Sequence, residues 1–232
     1  MSRSVVVESH PAPVTINWVP IGGWAGVLFV LTFLVAAIFS LAPAPAGADG
    51  ADVIRQWAVD EGTTYLTFMW VANAMNVVFL LPFAAAFSRV VDGRDRVLAR
   101  LIMVGATASA VTATVGTAFS ASLALGSAVD LADSSIVAFW RADNFIFLVV
   151  LGAFQALLMA AGSMVIYHWR IAPRWLGLLG LVAAGLLMLD GMWVVSGDFS
   201  SIFQIVWLVG LAGFAVWVVG VSIGMIRGAV HE

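Results

Sequence analysis

A polytopic all-α membrane protein, a bundle of six transmembrane helices with both termini on the cytoplasmic side, is the fold class predicted by three features of the sequence. Hydrophobic residues occupy 62% of the 232 positions and charged residues only 10%. The apolar residues gather into six long stretches, and the Arg residues fall almost entirely on alternate connections between them. A soluble domain is about 45–50% apolar and about 25% charged, and a water-soluble core of this length could not hide so much apolar surface. No run of ten-residue alternating segments points to the other spanning solution, a closed barrel.

The first stretch, Trp24–Leu41, is longer than the apolar region of a cleaved signal peptide and is read as a spanning helix, although Ala42-Pro43-Ala44 looks like a cleavage site. Leu66–Ser88, Leu101–Leu125, Phe145–Tyr167, Trp175–Val195 and Ile202–Ile226 follow, each long enough for a hydrocarbon core about 30 Å thick. Between the first two, Asp52–Glu61 puts Val53, Ile54, Trp57 and Ala58 on one helical face and most of its charges on the other. Ser127–Asn144, between the third and fourth, carries Ile136, Phe139 and Trp140 in a similar way. Both are expected to be short helices lying at the interface and capping the outer mouth. The chain divides into a cytoplasmic tail (residues 1–20), one transmembrane domain (21–227) and a short C-terminal tail (228–232).

Orientation follows from the Arg residues. Arg3, Arg89, Arg94, Arg96, Arg100, Arg170, Arg174 and Arg227 fall on one side, and only Arg55 and Arg141 on the other. The positive-inside rule makes the first side cytoplasmic. Nine of the thirteen acidic residues belong to the outer half, so the outer half is net negative and the inner half net positive. Trp18, Trp169 and Trp175 then mark the inner surface and Trp57 and Trp140 the outer one.

Several chemistries are excluded by residue type. Without Cys there is no thiolate, cysteine zinc site or covalent c-type haem attachment. All ten basic residues are Arg, so without Lys no retinal or pyridoxal Schiff base can form. His10 and His231 are in the tails and His168 ends the fourth helix, which disfavours bis-His haem and reads as a surface residue. No nucleophile–base–acid set converges and no metal-ligand spacing occurs. A net charge of −3 gives nucleic-acid binding no electrostatic footing.

Polar groups within the spans are the remaining candidates, because each is costly in lipid without a partner. Asn73 and Asn76 are three residues apart near the midplane, with Gln155 at a similar depth, Asp190 in the outer leaflet and Gln204 near the outer end of the last helix. Ser109, Thr112, Gly116 and Ser120 form a small polar stripe on the third helix. Together they outline an outer-half pocket containing Asn73, Asn76, Thr112, Gln155, Asp190 and Gln204. Asp190 is its only deep ionisable group, and Arg141, Asp143 and Asn144 form its rim. The alternative is that these groups are interhelical hydrogen-bonding glue, with Asp190 paired to Arg141 or protonated. Gly220-x-x-x-Gly224 reads as ordinary helix packing.

The segment Gly162–Leu181, with Tyr167, Arg170, Pro173, Arg174, Leu176 and Gly177 at its characteristic positions, resembles a recurring segment in a family of bacterial six-helix integral membrane proteins known as a domain of unknown function. The resemblance implies the same six-helix fold and carries no reaction. Pro173 suits the first turn of the fifth helix. The Arg-only, Ala/Val/Gly-rich usage fits a bacterial plasma membrane protein.

Three functions are weighed. The leading one is a non-enzymatic multi-pass protein, embedded in the bilayer, that binds a small lipophilic ligand or serves as an accessory subunit to membrane protein partners. The second is a small proton- or ion-coupled transporter using Asp190, and the third an intramembrane enzyme. A bundle packed shut, with Asn73, Asn76 and Gln155 bonded to one another, would exclude the ligand reading.

Overall fold

A computed structural model describes residues 17–39, 45, 49–124, 131–191 and 201–228. Among them there are six helices and no strands. They are α1 (Trp18–Phe39), α2 (Ala51–Asp92), α3 (Arg96–Ala124), α4 (Asp133–Trp169), α5 (Arg174–Asp190) and α6 (Ser201–Ile226). All except α5 are long and apolar enough to cross a membrane; α5 is a shorter apolar helix.

Local chemistry sets the helix ends. Asn17 Oδ1 accepts a hydrogen bond from Val19 N at 3.1 Å, so α1 starts at Trp18, ahead of the apolar stretch itself. Asp95 Oδ1 accepts from Val97 N and Leu98 N at 2.9 and 3.0 Å and caps α3 after a three-residue turn. α4 stops at Arg170, which adopts a left-handed conformation (φ 54°) while its N–H bonds to Ile166 O. Pro173 is the residue just before α5, one place earlier than its expected position inside the first turn.

Asp52–Glu61 and the second segment from Asp133 on are helical, but they are not separate short helices, and Ser127–Asp130 lie outside the described residues. Asp52–Glu61 is the start of α2, whose 42 residues span roughly 63 Å, and residues from Asp133 on are the start of the 37-residue α4, roughly 55 Å. Each exceeds a hydrocarbon core of about 30 Å, so each is long enough to run past it. The starts of both helices satisfy their apolar faces against each other and the end of α3. Ile54, Trp57, Leu123, Ile136 and Trp140 form a second core there, with Trp57 rings 4.9 Å from Trp140 and 4.8 Å from Tyr65. Arg55 ties the two helix starts, donating to Asp133 Oδ1 at 2.8 Å and to Leu131 O at 3.2 Å.

The six helices form a ring in sequence order, each packed antiparallel on the next, with α6 closing on α1. Glycine permits the closest approaches. A Cβ on Gly105 would fall 2.7 Å from Leu158 N of α4, and one on Gly23 would fall 2.8 Å from Ser222 O of α6. Gly220 packs on Leu176 of α5, an intramolecular contact, as its reading anticipated. The inner core is aromatic: Phe83 and Phe87 stack at 6.0 Å and meet Trp217 edge-on.

The ring alternation collects Arg89, Arg94, Arg96, Arg100, Arg170, Arg174 and Arg227 at one end and leaves Arg55 and Arg141 towards the other. Arg3 lies outside the described residues.

Candidate functional site

α2 and α4 each depart from α-helical geometry once. α2 widens to a π-helix over Asn76–Leu80, and α4 over Phe145–Val150. In α2 the cause is Pro82, which has no N–H to donate and whose ring would crowd the carbonyl four residues back; the widened turn lies just ahead of it. In α4 no Pro is present. Each widening is marked by an Asn whose amide turns back onto its own helix: Asn76 Nδ2 donates to Ala72 O and Asn144 Nδ2 to Trp140 O, both at 2.9 Å. Local widenings of this kind are frequent at functional sites.

Both widened segments border a cavity of ≈ 160 Å³ enclosed by α1, α2, α4 and α6, with Ala113 of α3 in its wall. Phe29, Phe33, Tyr65, Phe68, Phe147, Trp207 and Phe214 give the walls a large aromatic component, with aliphatic side chains such as Val30, Leu148 and Leu211 between them. Phe29 and Phe214 meet edge to face at 6.0 Å and join α1 to α6. This volume is close to that of an apolar cavity able to hold one benzene, about 150 Å³.

The polar groups in the wall are few. Asn76 is 5% exposed; with Nδ2 committed to Ala72 O, its Oδ1 is a buried acceptor with no partner. Gln155 is 7% exposed and its amide makes no hydrogen bond to another described residue. Asp143, 1% exposed, accepts hydrogen bonds from Tyr65 Oη (2.8 Å, to Oδ2) and Ser120 Oγ (2.7 Å, to Oδ1). This cluster fastens α2, α3 and α4 together, and Tyr65 and Asp143 both line the cavity.

The structure redistributes the residues singled out in the sequence. Asn76 and Gln155 line one cavity, and Asn144 joins them. Asn73 faces α3 instead, where Thr114 Oγ1 donates to its Oδ1 at 2.9 Å. Thr112 borders a shallow groove with Val111 and Phe154. Asp143, expected at the rim, is buried in the wall, because it lies one turn from buried Trp140 and on the same face; Arg141, two residues earlier, is exposed. The side chains of Asp190 and Gln204 lie outside the described residues, so the expected Asp190 pairing with Arg141 does too.

Tyr65 and the aromatic wall are not among the residues the sequence singles out. Ser120 belongs to the polar stripe recognised on α3. Tyr65 is one of only two tyrosines in the chain, a signal that went unused. His168 is exposed at the far end of α4, in edge contact with Tyr167 and Trp169. Among the described residues no three of His, Asp and Glu come together in a way that could hold a metal ion.

The α4–α5 junction accounts for the recurring segment in structural terms. Arg174 lies 5.7 Å over the Tyr167 ring, Ile171 is buried, and a Cβ on Gly177 would fall 3.1 Å from Ser163 O, tighter than ordinary contact, so the glycine eases this approach of α5 to α4. The profile of a family described as "Domain of unknown function (DUF4386)" matches residues 24–226. No curated protein and no solved structure matches the chain.

Proposed function

The chain belongs to the DUF4386 family, a membership that carries no activity, and from the cavity we propose that it is a non-enzymatic binding protein for a small lipophilic ligand. The observation that carries this reading is the pair of buried carboxamides in an aromatic wall. Asn76 Oδ1 is unpartnered and Gln155 makes no hydrogen bond to a described residue. A buried polar group without a partner costs about 1–3 kcal/mol, a penalty that a ligand with a matching polar group removes. A void of this size also forgoes dispersion contacts that a bound molecule restores.

In this reading all six helices cross a bacterial plasma membrane, with the Arg-rich end in the cytoplasm, and the cavity lies towards the outer face. The protein acts as a receptor or carrier subunit, alone or within a larger membrane assembly. The experiment is native mass spectrometry of protein extracted gently from its own membrane, with small-molecule analysis of what dissociates. A stoichiometric lipophile that is lost when Ala113→Phe fills the cavity supports the reading. Protein that carries none, and whose melting temperature no small aromatic raises, refutes it.

A further inference from the structure

Resting on that binding reading, we propose that the ligand is a lipophilic ammonium compound: a primary or secondary amine, protonated, on an aromatic or short alkyl body about the size of one ring. The inference comes from the sign of the polar groups that the protein leaves unused in the cavity.

Asp143 holds four lone-pair positions on its carboxylate, and two are taken by the Tyr65 and Ser120 hydroxyls. Both donors are neutral. No Arg among the described residues pairs with Asp143: Arg55 is engaged further out with Asp52 and Asp133, and Arg141 is exposed two residues away, a spacing at which helical side chains do not face each other. Buried carboxylates are normally paired with a cation, and here the protein supplies hydroxyls only. Asn76 adds a second unused acceptor, because its Nδ2 is fixed on Ala72 O. Gln155 is able to present its Oε1 as a third.

The Asp143 carboxylate and Asn76 Oδ1 bias the wall towards accepting hydrogen bonds, and much of its remaining surface is seven aromatic side chains, Tyr65 included, with aliphatic ones between them. A carboxylate together with aromatic faces is the combination that attracts an organic cation. An anion meets the Asp143 carboxylate and the Asn76 Oδ1 acceptor, with the Gln155 amide as the one unused donor among these groups. A neutral hydrocarbon fills the space but leaves the acceptors unused. An ammonium group donates to them and neutralises Asp143, while its apolar body replaces the void.

The test uses the full chain purified in detergent and four ring-sized probes: benzylamine in its protonated form, benzyl alcohol, toluene and benzoate. Apparent affinities are read from ligand-dependent melting temperatures. Benzylamine is expected to bind at least tenfold more tightly than benzyl alcohol or toluene, and benzoate to be rejected. Asp143→Asn is expected to bring benzylamine to the level of benzyl alcohol and leave toluene unchanged. The ratio of amine to alcohol in the unaltered protein is decisive even if Asp143→Asn does not fold. Toluene and benzyl alcohol binding as tightly as the amine, or a preference that survives in folded Asp143→Asn, overturns the ammonium assignment and leaves the lipophile reading standing. Failure of all four probes overturns both.

Discussion

Replacing Tyr65 by Phe isolates the contribution of one hydroxyl to the cluster that joins α2, α3 and α4. The substitution removes the 2.8 Å bond to Asp143 Oδ2 and leaves the ring in its edge contact with Trp57. A hydrogen bond to a charged group is worth about 1.5–3 kcal/mol net, so the variant is expected to lose that much. Asp143→Ala is expected to cost more than Tyr65→Phe, because it removes the bonds of both hydroxyls and leaves the Tyr65 donor without an acceptor, whereas Ser120 Oγ falls back on Gly116 O at 3.2 Å. The triple replacement Tyr65→Phe, Ser120→Ala, Asp143→Leu removes donors and acceptor together, and apolar replacement of a complete buried polar set is close to neutral or stabilising. Unfolding in mixed micelles of a denaturing detergent, at one lipid composition, provides the free energies. The reasoning is refuted if Tyr65→Phe and Asp143→Ala each change stability by less than about 0.5 kcal/mol, or if the triple variant is less stable than Asp143→Ala alone.

Three further outcomes are expected. Filling the cavity through Ala113→Phe recovers part of a void term that, at about 24 cal/mol per Å³, amounts to about 4 kcal/mol for ≈ 160 Å³. After a strain of about 1–3 kcal/mol, a net gain of about 1–3 kcal/mol is expected in the same unfolding assay, with loss of small-aromatic binding. Gly105→Ala, whose Cβ would fall 2.7 Å from the α4 backbone at Leu158, is expected to destabilise by about 1–3 kcal/mol; Gly185→Ala, with nothing within 4 Å, is expected to stabilise by about 0.5–1 kcal/mol. Because the chain contains no Cys, single substitutions report sidedness without background. In intact cells, Ser134→Cys is expected to react with an impermeant maleimide and Asp92→Cys only after the membrane is opened.

The helices were legible because lipid permits few backbone solutions, and long apolar stretches with Arg at alternate ends state them directly. The merging of the outer segments with α2 and α4 was not. Residues 62–65 fall between the two predicted elements, yet the helix runs through them because Trp57 ahead of that gap and Tyr65 at its end both pack against Trp140. Asn76 and Gln155 were found by depth alone, since polar residues at matching heights on two spans tend to meet. Asn73 was assigned to the same pocket from its spacing with Asn76, but the structure turns it to Thr114. Asp143 was placed at the rim because it sits in the polar run Arg141–Asn144. Helical spacing from Trp140 to Asp143 and on to Phe147 would have put it on the buried face. A cavity is a property of packing between helices distant in sequence, and no local pattern announces it.

The account turns on one cavity between α1, α2, α4 and α6 that admits a small apolar molecule. Structure determination of the protein soaked with iodobenzene, whose heavy atom identifies its position, tests this most directly. The predicted result is one ring bound between Phe147 and Trp207 with Asn76 and Gln155 beside it. A cavity closed by collapse of those rings, with the Asn76 and Gln155 amides bonded to each other and iodine found only on the lipid-facing surface, would contradict it.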